Sequence, residues 1–207
     1  MNKQHDGRST DTRQRILAIA EELYHAGGYP NITFQTIAQH LDIAKPSVFY
    51  HFASKQELFF VMLLQITERI HQRMEEVLAL EGISTQERLR RLMQAMMQRP
   101  IFDVTHFVRE EMHTLTPEQQ QQIMQATKTN IFDVIEDVLQ KGIERGEFRM
   151  HNVHHSGALF LNLCIMLPLP RDPFQHTNQE DSLEDELSSM LDFFFSGILA
   201  GKTESQG

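Results

Sequence analysis

Lys45, Ser47, Tyr50 and His51 fall within one seven-residue stretch, and helical spacing puts them on the outer side of a short helix. They offer an ammonium, a hydroxyl, a phenol and an imidazole, with no carboxylate among them. Such a set suits a polyanion. A lysine reaches guanine O6 and N7, and Pro46 beside it can meet a thymine methyl group. Lys55 opens the next helix, where free backbone N–H groups and the helix dipole also favour phosphate.

Two short helices around a tight turn must hold these groups. In the first, Phe34, Ile37, Ala38 and Leu41 recur at i, i+3, i+4 and i+7, giving one apolar face. In the second, Val48 and Phe52 point inward. Leu41-Asp42-Ile43 forms the turn. This is a helix-turn-helix layout, in which the second helix enters the major groove. Gln35 and Thr36 project from the first helix and add contacts.

The stretch from Thr12 to Leu58 resembles the N-terminal domain of the TetR family of bacterial transcriptional regulators. The matching residues are Thr12-Arg13-Gln14-Arg15-Ile16-Leu17, Ala20-Glu21-Glu22-Leu23, Gly28-Tyr29, Thr33-Phe34, Ile37-Ala38, Ile43 through Phe52, and Ser54-Lys55-Gln56-Glu57-Leu58. The resemblance implies that Thr33, His51 and Lys55 hold the DNA backbone. It leaves the reading of bases to Lys45, Pro46, Ser47 and Tyr50.

Three positions depart from the family pattern. Asp42 stands where Gly is usual; Asp tolerates the left-handed conformation better than most residues. Ala44 stands where Ser or Thr is usual, and an Ala at the N-cap costs ~1 kcal/mol. Pro46 partly offsets this through its preset φ. Phe49 replaces Tyr and lacks the hydroxyl that would meet phosphate, so packing is its expected role.

Charge is unevenly spread. The chain has 207 residues and a net charge of −9. The first sixty residues hold six Lys/Arg and six Asp/Glu, so the remaining 13 basic and 22 acidic residues carry the whole deficit. The acidic body is screened from the DNA-facing end beyond ~10 Å. Met1 to Arg15 is polar, so no leader is expected, and no apolar run approaches the ~20 residues of a membrane span. The single Cys164 excludes an internal disulfide and suits the cytoplasm.

Apolar periodicity predicts an all-α chain of about nine helices. Residues 1–56 form the expected DNA-binding domain and residues 57–207 the ligand-binding and dimerisation domain. Helix 1 is expected over 11–26, the next pair as above, and a long helix over 55–80. A fifth helix follows a capping box at Ser84 and stops before Pro100. The sixth covers 101–114 and the seventh 116–145. The last two cover 153–167 and 182–199. These two are unusually apolar, and Phe193-Phe194-Phe195 covers more than one helix face. The surplus points to a homodimer, and the resemblance implies a four-helix bundle made by these two helices and their copies.

A small-molecule effector is the third expected partner. Met62, Met93, Met96, Met97, Met112 and Met124, with Phe102, Phe107, Phe132 and Phe160, can line an adaptable apolar pocket. Glu111 can anchor a polar end. No nucleophile–base set, phosphate loop or dinucleotide fingerprint occurs, so neither an enzyme nor a cofactor is expected.

The rival is a metal- or ligand-binding helical protein. His106, Glu110 and His113 recur at i, i+4 and i+7, and His151, His154 and His155 cluster further on. Such spacings can hold a divalent cation.

Overall fold

Short polar side chains decide where the helices start. The computed structural model describes residues 3–96, 106–166 and 183–199. Helix α1 covers Lys3–Asn31, with non-helical backbone at Gly27 and Gly28, where the sequence signals a stop. It begins well ahead of the expected Asp11. Helices α2 (Phe34–Leu41), α3 (Lys45–His51), α4 (Lys55–Leu78) and α5 (Thr85–Met96) follow.

The cap residues act as their types require. Thr33 Oγ1 accepts the Thr36 N–H at 3.0 Å and starts α2. Ser54 Oγ accepts the Glu57 N–H at 3.0 Å, while Glu57 Oε2 reaches back to the Ala53 N–H at 2.8 Å. Ser84 Oγ accepts the Glu87 N–H at 3.1 Å and starts α5. At the end of α4, Arg88 donates to the carbonyls of Val77 and Leu78, both at 2.8 Å, and of Leu80 at 2.6 Å. Val77 and Leu78 are among the last carbonyls of α4, which a helix end leaves without intrahelical donors.

The helix expected over 101–114 is different in kind. Phe107–Glu111 is a π-helical turn, closed by the Met112 N–H on the Phe107 carbonyl, and Met112–Thr114 is 3₁₀. The helix expected over 116–145 is three pieces: α6 (Pro117–Thr127), a second π turn (Lys128–Phe132) and α7 (Asp133–Glu144). A reciprocal box opens α6. The Gln119 N–H bonds Thr116 Oγ1 at 3.2 Å, and the Thr116 N–H bonds Gln119 Oε1 at 3.0 Å. Helices α8 (Val153–Met166) and α9 (Leu183–Ile198) complete the described fold. The only β pairing among the described residues is a single bridge, Phe148 to Leu199.

The chain divides into two compact units and passes between them three times, first within α4. The first holds residues 1–68 and 106–126, the second 69–105 and 127–207. In the first, Ile16, Leu17 and Ala20 of α1 are buried with Ile37, Val48, Phe52, Leu58 and Phe59. Burying each such side chain contributes roughly 1.5–3 kcal/mol, so the helix-turn-helix pair stands on a substantial core. The second unit is built on Met74, Leu89, Leu92, Met93, Leu139, Phe160 and Phe195. There His71 Nδ1 donates to the Asn130 carbonyl at 2.9 Å, satisfying backbone in the second π turn.

Candidate nucleic-acid interface

The turn between α2 and α3 makes the interface possible. Asp42 takes the left-handed conformation (φ 51, ψ 48), and its N–H closes onto the Ala38 and Gln39 carbonyls. Among the described residues it is the one non-glycine with positive φ. The chain then enters α3 through Ala44, whose backbone is extended and whose side chain makes no cap bond. Pro46 stands in the first turn.

Helix α3 turns Val48 fully into the core and leaves Lys45, Pro46 and Tyr50 exposed, Tyr50 at 80 %. Ser47 and His51 are half-buried. The Tyr50 and His51 rings meet edge to face at 5.1 Å. Phe49 packs its ring against Phe34 at 4.7 Å, the packing role expected of it, yet remains 51 % exposed. On α2, Gln35 is exposed, and Thr36 shares a hydrogen bond with Thr33 at 2.7 Å. The first unit therefore carries Thr33, Gln35, Thr36, Lys45, Pro46, Ser47, Tyr50, His51 and Lys55 on α2, α3 and the start of α4.

Lys55 is held more firmly than its sequence suggests. Its ammonium lies 4.0 Å from the centroid of the Tyr29 ring and 3.3 Å from the Pro30 carbonyl. Burial lowers its pKa from the usual lysine value, while the charge of Glu111 works in the opposite direction. Burial also raises the Tyr29 phenol. Sequence reasoning missed both Tyr29 and Gln56, whose side-chain amide donates to the Thr114 carbonyl at 2.6 Å. Neither has a local signal, because their partners lie 26 and 58 residues away in the chain.

The proposed effector residues are dispersed. Met62, Phe107 and Glu111 are buried in the first unit, Met112 is half-buried there, and Met124 is 62 % exposed on α6. In the second unit Met93 and Phe160 are fully packed core, with Met96 against them and Phe132 half-buried. Met97 and Phe102 lie outside the described residues. The second unit also shows a cleft of about 170 Å³ lined by Leu78, Thr85, Arg88, Val138, Lys141 and Arg145, none of them in the expected set.

The histidine spacings do not become a metal centre. In the π turn His106 meets Glu111, at 3.4 Å, and Glu110 lies beside Arg109 at 4.0 Å. His151 Nδ1 bonds the Arg149 carbonyl, and His154 Nδ1 bonds Glu136, each at 2.8 Å. Among the described residues no three His, Cys, Asp or Glu side chains gather to hold an ion, and the metal reading is unsupported.

Residues 16–62 match the model of the bacterial regulatory proteins of the tetR family, and residues 82–168 match the tetracyclin repressor-like C-terminal domain. The chain belongs to the TetR family. It is a helix-turn-helix transcriptional regulator. A TetR-family chain of this kind has relatives with little sequence in common. It is 21 % identical over 160 residues to YhgD of Bacillus subtilis (strain 168), an uncharacterised HTH-type transcriptional regulator, across 77 % of this chain and 83 % of that one. The fold matches AibR in complex with isovaleryl coenzyme A and operator DNA (TM-score 0.69, 20 % identity, 88 % of this chain and 97 % of that one). It also matches FadR from Bacillus subtilis in complex with stearoyl-CoA (TM-score 0.69, 18 % identity, 89 % and 98 %). Among the described residues, no helix of this TetR-family chain is long and apolar enough to cross a membrane.

Proposed function

We propose that this regulator is a cytoplasmic homodimeric repressor that binds a palindromic operator and releases it when an amphipathic small molecule binds. Residues 1–56 read the DNA, and residues 57–207 bind effector and pair the subunits. The observation that carries the reading is the outer face of α3, where an 80 % exposed Tyr50 and an exposed Lys45 stand with no acid beside them. Lys45, Pro46, Ser47 and Tyr50 meet base edges. Thr33, Gln35, Thr36, His51 and Lys55 position the protein on the backbone.

Pairing is supported by what α8 and α9 leave outside. Phe194 and Phe195 are buried, but Phe193 is 83 % exposed, Leu159 61 % and Met190 38 %. A twofold protein also matches a twofold site. The effector class is supported by the acyl coenzyme A esters bound by AibR and FadR. An effector that prefers the DNA-free form by ~1–3 kcal/mol weakens operator binding roughly 5- to 150-fold.

Selection from random duplex DNA tests the reading, followed by titration of the enriched duplex at several salt concentrations. The expected winner is palindromic. Tyr50→Ala loses sequence preference, whereas Lys55→Ala binds all duplexes more weakly with a shallower salt dependence. Equal binding by wild type and both variants would sink it.

A further inference from the structure

Among the described residues of the first unit, Glu111 is the buried carboxylate, only 3 % exposed. Its Oε1 accepts the backbone N–H of Tyr29 at 2.6 Å and lies 3.4 Å from His106 Nε2. Its Oε2 is buried without a hydrogen-bond partner. Burying a charged group is costly unless its bonds are met, so this side chain has a strong claim on the one backbone donor it holds.

The donor belongs to the short end of α1 that follows its break at Gly27 and Gly28 and links it to α2. Gly28 has φ +73, and a Cβ there would stand 2.7 Å from Glu111 Oε1. Glycine thus serves both the left-handed backbone and the close approach. The same link is gripped by Lys55, on the Pro30 carbonyl and the Tyr29 ring. Three residues after Pro30 comes Thr33, the cap of α2. The π turn aims the carboxylate, because its i→i+5 closure brings Glu111 to His106, where an α-helix would bring Glu110. Two further bonds fix the segment: Thr114 Oγ1 donates to the Glu111 carbonyl at 2.7 Å, and Gln56 donates to the Thr114 carbonyl.

We infer that Glu111 is a positioning residue for DNA binding: its carboxylate holds the Gly28–Pro30 link, and through it Thr33 and Lys55, in the arrangement that grips phosphate. The inference rests on the repressor reading above. Losing the latch leaves a buried carboxylate and a backbone N–H without each other, a cost that favours the held form. Phe107, Glu111 and Met112 all belong to the proposed effector set, so the segment that would sense the ligand is the one that carries the latch.

The test compares full-length wild type, Glu111→Ala and Glu111→Gln. The glutamine keeps an oxygen for Tyr29; the alanine does not. Amide hydrogen exchange of the free proteins should show Tyr29 exchanging about tenfold faster in Glu111→Ala, with Ile37 and Val48 unchanged and Glu111→Gln close to wild type. On the duplex enriched by wild type, Glu111→Ala should bind about tenfold more weakly, with a salt slope shallower by ~0.9 for each phosphate no longer neutralised. Glu111→Gln should stay within about threefold. A purely structural role would lower protection throughout and leave the salt slope unchanged, and that outcome overturns the inference. Unchanged Tyr29 exchange in Glu111→Ala overturns it too. If Glu111→Ala does not fold, wild type carries the test: Tyr29 should become more protected on the enriched duplex, and no change overturns the inference. Wild type enriching no duplex is a separate failure, that of the repressor reading.

Discussion

The Lys55 ammonium and the Tyr29 ring form a cation–π pair, 4.0 Å from nitrogen to centroid. The lysine proposed as a phosphate clamp is therefore already seated on its own chain. Its burial lowers the pKa below the ordinary lysine value, with Glu111 opposing. Phosphate binds the protonated form, so DNA raises that pKa again and binding takes up protons. Operator affinity should fall as pH rises through the lowered pKa, starting below the ordinary lysine range. Lys55→Arg should stay flat there, since arginine does not titrate. Fluorescence anisotropy at constant ionic strength reads both profiles, and identical profiles would rule out Lys55 as the titrating group.

Ala44 begins α3 without a side-chain cap. Its backbone is already extended (φ −70, ψ 137), as an N-cap requires, so Ala44→Ser needs no rearrangement. The variant should be stabilised by ~1 kcal/mol, raising Tm by roughly 2–4 °C. Scanning calorimetry checks this, and an unchanged Tm would mean that α3 is already held by its packing alone.

Phe193 is 83 % exposed, next to the buried Phe194 and Phe195. If it lies in a subunit interface, Phe193→Asp removes two buried rings per dimer, or ~3–6 kcal/mol, on the order of 100-fold or more in the dimer Kd. Sedimentation velocity should show monomer where wild type is dimer, and binding to the palindrome should fall with it. A dimer of unchanged affinity would place the interface elsewhere.

Cys164 is buried, and desolvation pushes its thiol far above the usual range. The thiolate is the reactive form. Iodoacetamide at mildly alkaline pH should therefore leave the native protein unlabelled and alkylate it fully in denaturant, as read by intact mass. Rapid labelling of the folded protein would contradict this burial.

Much of the fold was legible because its signals are local. Ser54, Ser84 and Thr116 announce their helices within three residues, and the alternation of Val48 and Phe52 against Lys45 and Tyr50 fixes which side of α3 faces out. Asp42 was legible for the same reason, as the turn needs a residue that tolerates positive φ. The π turns were not legible. Their i→i+5 closure leaves no mark in apolar periodicity, and assuming 3.6 residues per turn placed Glu110, rather than Glu111, beside His106. The grip on Lys55 was equally hidden, because Tyr29, Pro30 and Glu111 are brought together by tertiary packing across 82 residues of sequence.

A π turn holds one residue more than the α turn it replaces, which makes its length a kind of gear. Deleting one residue between Phe107 and Glu110 would return the segment to α closure and leave Glu111 four residues after His106, still on the same side of the turn. Adding a residue there, or forcing α closure on all five, would instead carry Glu111 away from His106 and from the Tyr29 N–H. The spare residue of the π turn is therefore what sets which of two adjacent glutamates faces inward.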